Sequence, residues 1–156
     1  MKDYEDGSYS FHQIEEKLKE NLLSSCELTL SPENLYICEP IFLSVSVDIW
    51  ASIFHMEDSF EVQGIVKRCM DAYLNPVKNG QEEGWDFGVL PKKTQIMMKL
   101  NVLKSRAQIH KVSVTVSYMD DEGEREVDLE NFEATPFMIV RSGSHQVHIM
   151  QSYDRK

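Results

Sequence analysis

A chain of 156 residues amounts, at roughly 150 residues per domain, to one compact domain with at most one appended element. Its 16 basic and 26 acidic residues give a formal charge of −10, which opposes non-specific binding to nucleic-acid phosphates or anionic lipid and disfavours an acidic substrate class. With 42% hydrophobic residues, 7 Gly and 5 Pro, the composition supplies a core and excludes disordered or collagen-like chains.

The amino terminus, Met1-Lys2-Asp3-Tyr4-Glu5-Asp6-Gly7, is acidic and has no positive flank followed by an apolar run, so no secretory signal is expected. Ser10-Phe11-His12-Gln13 fits a capping box, with Tyr9 and Ile14 spaced for a hydrophobic staple. Phe11, Ile14, Leu18 and Leu22 then repeat every three or four residues against Glu15, Glu16, Lys17, Lys19 and Glu20. This predicts an amphipathic helix that ends near Ser24 or Ser25 and needs a surface to dock on. A turn is expected at Ser31-Pro32-Glu33-Asn34, and Pro40, which cannot donate to a ladder, marks an edge or bulge after Tyr36-Ile37-Cys38.

The clearest strand covers 42–54, where Leu43, Val45, Val47, Ile49, Ala51 and Ile53 alternate with Ser44, Ser46, Asp48 and Ser52. The surrounding apolar stretch, 37–56, contains Glu39, Pro40, Asp48 and three serines, so it cannot span a membrane as a helix. Asp58-Ser59-Phe60-Glu61 fits a second capping box. Val62, Ile65, Val66, Cys69, Met70, Tyr73 and Leu74 then keep helical period until Pro76 closes the element. Residues 77–91 form a turn-rich loop in which Trp85 and Phe87 stand between Gly80, Gly84 and Gly88; such aromatics serve as a core plug or an interface anchor.

Thr94 is expected to cap a third helix with Ile96, Met97, Leu100 and Leu103 inward. Met97 and Met98 fit either core gap-filling or an adaptable binding surface, the former being the commoner use. His110, Val112, Val114, Val116 and Tyr118 alternate with Lys111, Ser113, Thr115 and Ser117 as a second strand. Gly123 supplies the positive φ for a hairpin at Asp120-Asp121-Glu122-Gly123-Glu124, returning through Val127 and Leu129. A last hairpin is expected from Phe137-Met138-Ile139-Val140 around Arg141-Ser142-Gly143-Ser144 into 145–150.

Helices on one side of a mixed or antiparallel sheet make a two-layer α+β domain, here with a carboxy-terminal β-hairpin. The expected organisation is an amino-terminal helix and connector over 1–34, an α+β core over 35–118 and a hairpin extension over 119–156. Charge is segregated. Lys92, Lys93, Lys99, Lys104, Arg106 and Lys111 form a basic block, followed by an acidic one that includes Asp120, Asp121 and Glu122 with Arg125 as its one base. Opposite blocks on one domain can pair between copies and guide docking, although each exposed pair contributes only about 0–1 kcal/mol.

Catalytic signatures are absent from the sequence. There is no nucleophile elbow, phosphate loop, dinucleotide loop or His-Glu-x-x-His, and Asp86-Phe87-Gly88 lacks every companion motif of a kinase. Cys26, Cys38 and Cys69 are too far apart for a zinc or redox pair, so reduced structural thiols in a cytosolic setting are expected. His145 and His148, three apart on a strand, would point to opposite faces, which leaves a metal-dependent hydrolase as a minor alternative. His12, His55 and His110 are scattered. A peptide-binding regulatory module using an exposed edge near Pro40 is a further alternative.

Two motifs carry a family resemblance. Glu39-Pro40-Ile41-Phe42-Leu43-Ser44-Val45-Ser46-Val47 is similar to the strand entry of baseplate J-like proteins, which are wedge components of contractile phage tails, tailocins and related injection systems. Tyr73-Leu74-Asn75-Pro76, a spacer with Asn79-Gly80, and Gly84-Trp85-Asp86-Phe87-Gly88 resemble the same family's central signature. Ile139-Val140-Arg141-Ser142-Gly143-Ser144-His145 resembles its closing hairpin, so the likeness covers about 28–149. Family members are usually longer at the amino terminus, which implies that this chain corresponds to a carboxy-terminal portion. The resemblance implies a structural role in wedge assembly in the bacterial cytoplasm and then in the tail or injection-system baseplate. The implied partners are other wedge proteins, a second J-like copy, and the sheath-initiating or hub proteins. It implies no catalytic residues, cofactor or metal. Pro76, Gly80, Gly84, Trp85, Phe87 and Gly88 are the structural loop, and the charged blocks are the candidate interface.

Overall fold

The computed structural model describes residues 11–25, 31–77 and 85–150. The chain divides into two units, Met1–Pro40 and Ile41–Lys156. The boundary thus falls after Pro40 rather than after residue 34, and the carboxy-terminal strands belong with the core instead of forming an extension.

In the first unit, helix α1 (Phe11–Ser25) ends where the periodicity predicts. The Ser10 cap and the Tyr9 staple lie outside the described residues. Lys19 Nζ sits 2.5 Å from Glu15 Oε1 one turn away, and this hydrogen bond holds the Glu15 carboxyl below its ordinary pKa. None of the α1 residues is buried. Pro32–Asn34 make a short 3-10 turn, and 35–40 form no strand.

The second unit is built on β1 (Ile41–Ile53), β2 (Ala107–Asp120), β3 (Gly123–Val127) and β4 (Met138–Ile149), with α2 (Ser59–Tyr73) and α3 (Lys93–Lys99) between β1 and β2. The sheet order is β3-β2-β1-β4. β1 is antiparallel to β2 and parallel to β4, which makes this an α+β domain with a four-stranded mixed sheet. β1 is therefore an inner strand, paired with β4 from Ile41 and with β2 from Ser44, so the edge expected near Pro40 is confined to 41–43 on the β2 side. The alternation in β1 is the core itself. Leu43, Val45, Val47, Ile49 and Ala51 are fully buried against Val62, Val66 and Met70 from α2, Leu74 just after it, and Ile96, Leu100 and Leu103 from α3 and the 3-10 turn after it.

Local capping departs from expectation twice. Asp58 makes no side-chain cap to α2, because both acids of that motif turn to Arg106, with Glu61 at 2.5 Å and Asp58 at 3.7 Å. At α3 it is Gln95 that caps, its Oε1 accepting the Lys92 N–H at 3.2 Å, and Thr94 does not. Gly64, midway along α2, has nothing within 4 Å of the place a Cβ would take. Gly64→Ala should therefore raise stability by about 0.5–1 kcal/mol, because glycine is the costlier residue inside a helix. A urea midpoint that failed to rise would contradict this.

The expected carboxy-terminal hairpin is not formed. Residues 138–149 are one strand, and its turn-like centre is a bulge: Val45 faces Ser142 and Val47 faces His145, so Ser46 alone opposes Gly143 and Ser144. β2 carries a second irregularity, with Trp50 facing Lys111 and Ala51 facing Ile109. The extra residue, His110, shifts the alternation. Instead of lining up with Val112, it bonds Ser52 Oγ through Nε2 at 2.7 Å. Lys111 lies 4.7 Å over the Trp50 ring. The β2–β3 hairpin forms as expected, with Gly123 at φ +125°.

Candidate functional site

Of the residues singled out in the central loop, Trp85 and Gly88 are tied into one corner. α2 closes with the Leu74 N–H donating to Met70 O at 2.9 Å, and the Trp85 N–H then reaches back to Asn75 O at 2.9 Å. The Trp85 indole N–H donates to Val89 O at 2.5 Å. Its ring stands edge-on to Tyr73, with centroids 5.0 Å apart at 84°, and burial pushes the Tyr73 hydroxyl pKa up. Pro76 is half-buried at this bend.

Gly88 adopts φ +72°, and a Cβ there would lie 2.9 Å from Thr135 O. Its N–H donates to Met138 O at 2.9 Å. The bend after α2, the Trp85 segment and the entry to β4 are thus tied by backbone hydrogen bonds and one aromatic pair. Phe87 does not share in this: it is 63% exposed, so Trp85 alone plugs the corner. Gly80 and Gly84 lie outside the described residues.

The charged residues divide. Lys92, Lys93, Lys99 and Lys104 are exposed, Lys99 lying 5.2 Å over the Tyr73 ring. Arg106 is taken up by Asp58 and Glu61. Asp120 and Glu122 both pair with Arg125 inside their own hairpin, while Asp121 is exposed. The structure therefore does not bring the basic block onto the acidic turn within one chain: no ion pair among the described residues joins them.

His145 and His148 stand on opposite faces of β4. His148 stacks on Trp50, with centroids 4.8 Å apart at 20°, and its Nε2 is 3.9 Å from Asp48. The His145 side chain is 1% exposed. Its Nδ1 accepts the Val47 N–H at 3.2 Å, so the tautomer that satisfies both contacts carries its proton on Nε2, 2.7 Å from Ser142 Oγ. Ser142 in turn donates to Asp71 Oδ1 at 2.5 Å. The three residue types are those of a hydrolytic triad, but the order is wrong. The serine sits between acid and histidine, and its proton is directed at the carboxylate, so the imidazole cannot act as its base.

The physical role of this chain is to repair the bulge. Where β4 carries one residue too many, the Val47 N–H finds the imidazole as acceptor, and the Ser144 N–H finds Ser46 Oγ at 3.1 Å. Among the described residues no group of three or more His, Cys, Asp or Glu is placed to hold a metal. No helix among them is long and apolar enough to cross a membrane.

A pH dependence follows from the network. Burial holds the His145 pKa below its usual 6.5, Lys67 adds to the effect, and Asp71 and Asp48 oppose it. The unfolded chain therefore takes up the proton first as pH falls. Stability from this group is complete above pH 6.5 and is lost progressively from there down to the lowered native value. The slope is at most about 1.4 kcal/mol per pH unit. His145→Asn, which keeps an acceptor for the Val47 N–H without titrating, should flatten this part of the profile in urea titrations at pH 7.5 and 5.5. Parallel profiles for the two proteins would refute the assignment.

Asp71 was not singled out in the sequence, and Ser142 and Gly143 were read there as a hairpin turn. The trace they leave is a Ser-Gly-Ser step inside an apolar run, which reads equally as a turn. The chain matches no protein-family profile, no curated protein and no solved structure.

Proposed function

We propose that this chain is a non-catalytic assembly module that works through protein–protein contacts, and that its setting is the wedge of a contractile-tail baseplate. The observation that carries the reading is the convergence at the Trp85 corner. Tyr73, Asn75, Trp85 and Gly88, drawn from the motif that resembles baseplate J-like proteins, are all spent on packing and backbone closure. They build a rigid joint rather than a reactive pocket. The inverted order of Asp71, Ser142 and His145 supports the same side, and the separation of His145 from His148 gives the metal-dependent hydrolase no support.

The proposed partners are neighbouring wedge proteins and a second J-like copy, met during assembly in a bacterial cytoplasm. The test is co-expression with the tail proteins encoded beside it, followed by size-exclusion chromatography with light scattering. A defined complex with a wedge protein is expected. Purification as an isolated monomer from every such pairing would overturn the baseplate setting.

A further inference from the structure

β3 pairs with β2 only over 116–120, although β2 begins at Ala107. Beside Ser113 and Val114 that side opens on a pocket shared with residues 126–130 and Phe132, and among the described residues no strand pairs with 107–112 on that side. Beside this open edge runs a groove of ≈ 640 Å³ between α3, the 3-10 turn and β2. Phe54, Met97 and Met98 line it and are 53%, 47% and 71% exposed. Lys93 and Lys104 also line it, and neither makes an ion pair with a described acid. Among the described residues no acid lines the groove.

We propose that this groove and edge dock an extended acidic segment of a partner protein, which adds to β2 as a further strand. Unpaired main-chain groups supply the affinity of strand addition, and alternate side chains of the guest supply the selectivity. Apolar guest residues fall on Phe54 and the two methionines, whose flexible thioethers adapt to varied shapes. Acids two residues along the guest, on the same face toward α3 and the 3-10 turn, meet Lys93 and Lys104. A second copy of this chain is the poorer occupant: pairing the same edge across a two-fold axis would set these lysines against their own duplicates. The inference is independent of the baseplate reading, since a module serving another assembly would present the same groove.

The test uses the full chain and a fluorescein-labelled peptide of Val-Thr-Glu-Thr repeats, which sets valine and glutamate on one face, followed by anisotropy. Saturable binding is expected, weakened about tenfold by Lys93→Glu with Lys104→Glu, the sum of two exposed ion pairs. Both positions are exposed, so the variant should fold, and an unchanged melting temperature checks that it has. A peptide N-methylated along its pairing side should not bind, nor should the lysine-for-glutamate counterpart. The proposal is overturned by no binding of the acidic peptide at low salt, by binding indifferent to the lysine reversals, or by tighter binding of an oligothymidylate abolished by those reversals. Dimerisation of the chain alone, lost in the Met98→Asp variant, would assign the groove to a second copy instead.

Discussion

Trp85→Ala is expected to lower stability by about 3 kcal/mol, the lower end for truncating a large aromatic, and the melting temperature by about 6–12 °C for a chain of this size. The indole is half-buried, so the loss does not come from burial alone. Its N–H bond to Val89 O and its edge-on contact with Tyr73 go together, and both fasten the segment that follows α2 to the segment that precedes α3. Trp85→Phe separates the two terms. It keeps most of the packing and gives up the hydrogen bond, so it should cost only about 1 kcal/mol. A Trp85→Ala protein that melts with the parent would show that the corner is not a joint. Phe87→Ala is the internal control: its ring is exposed, and its removal should move the melting temperature little.

The second large effect is expected at Gly143, which has an ordinary backbone conformation but no room. A Cβ there would come within 2.5 Å of Ser46 Oγ and 2.9 Å of Val45 O. The serine can turn aside only by releasing the Ser144 N–H, and the carbonyl can move only with its strand. Gly143→Ala should therefore destabilise by about 2–3 kcal/mol. Adding Ser46→Ala should recover only part of that, since the contact with the Val45 carbonyl remains. Full recovery in the double variant, measured by urea denaturation, would show that the two strands can part there at little cost.

Strong periodicity was readable where one element decides its own phase. β1 and α2 alternate or repeat without interruption, and their inward residues are the ones that form the core. Phase was unreadable where something resets it. His110 adds a residue to β2 and so leaves the face of Val112. α3 stops after seven residues and tightens into a 3-10 turn. That turn keeps Ile96, Leu100 and Leu103 inward and leaves Met97 on the surface with Met98. The bulge in β4 was hidden because Arg-Ser-Gly-Ser has turn chemistry, and only the partner strand decides that it runs straight. Parallel pairing of β4 with β1 was equally hidden, as it joins residues nearly a whole domain apart in sequence. The Trp85 corner was legible in its glycine and aromatic spacing, whereas the Asp71–Ser142–His145 chain depends on that distant pairing and could not be.

That distance governs how the molecule is made. Ile41 is matched to Met138 and Ala51 to Ile149, so the strand that turns β1 from a rim into a centre is the last of the four described strands to be synthesised. Until then the most apolar strand of the protein has one side unclaimed, a state open to pairing with other chains. Non-local parallel contacts also close slowly. β1 is thus protected only once β4 is in place, and a chain stopped before residue 138 would leave that side of β1 open to other chains.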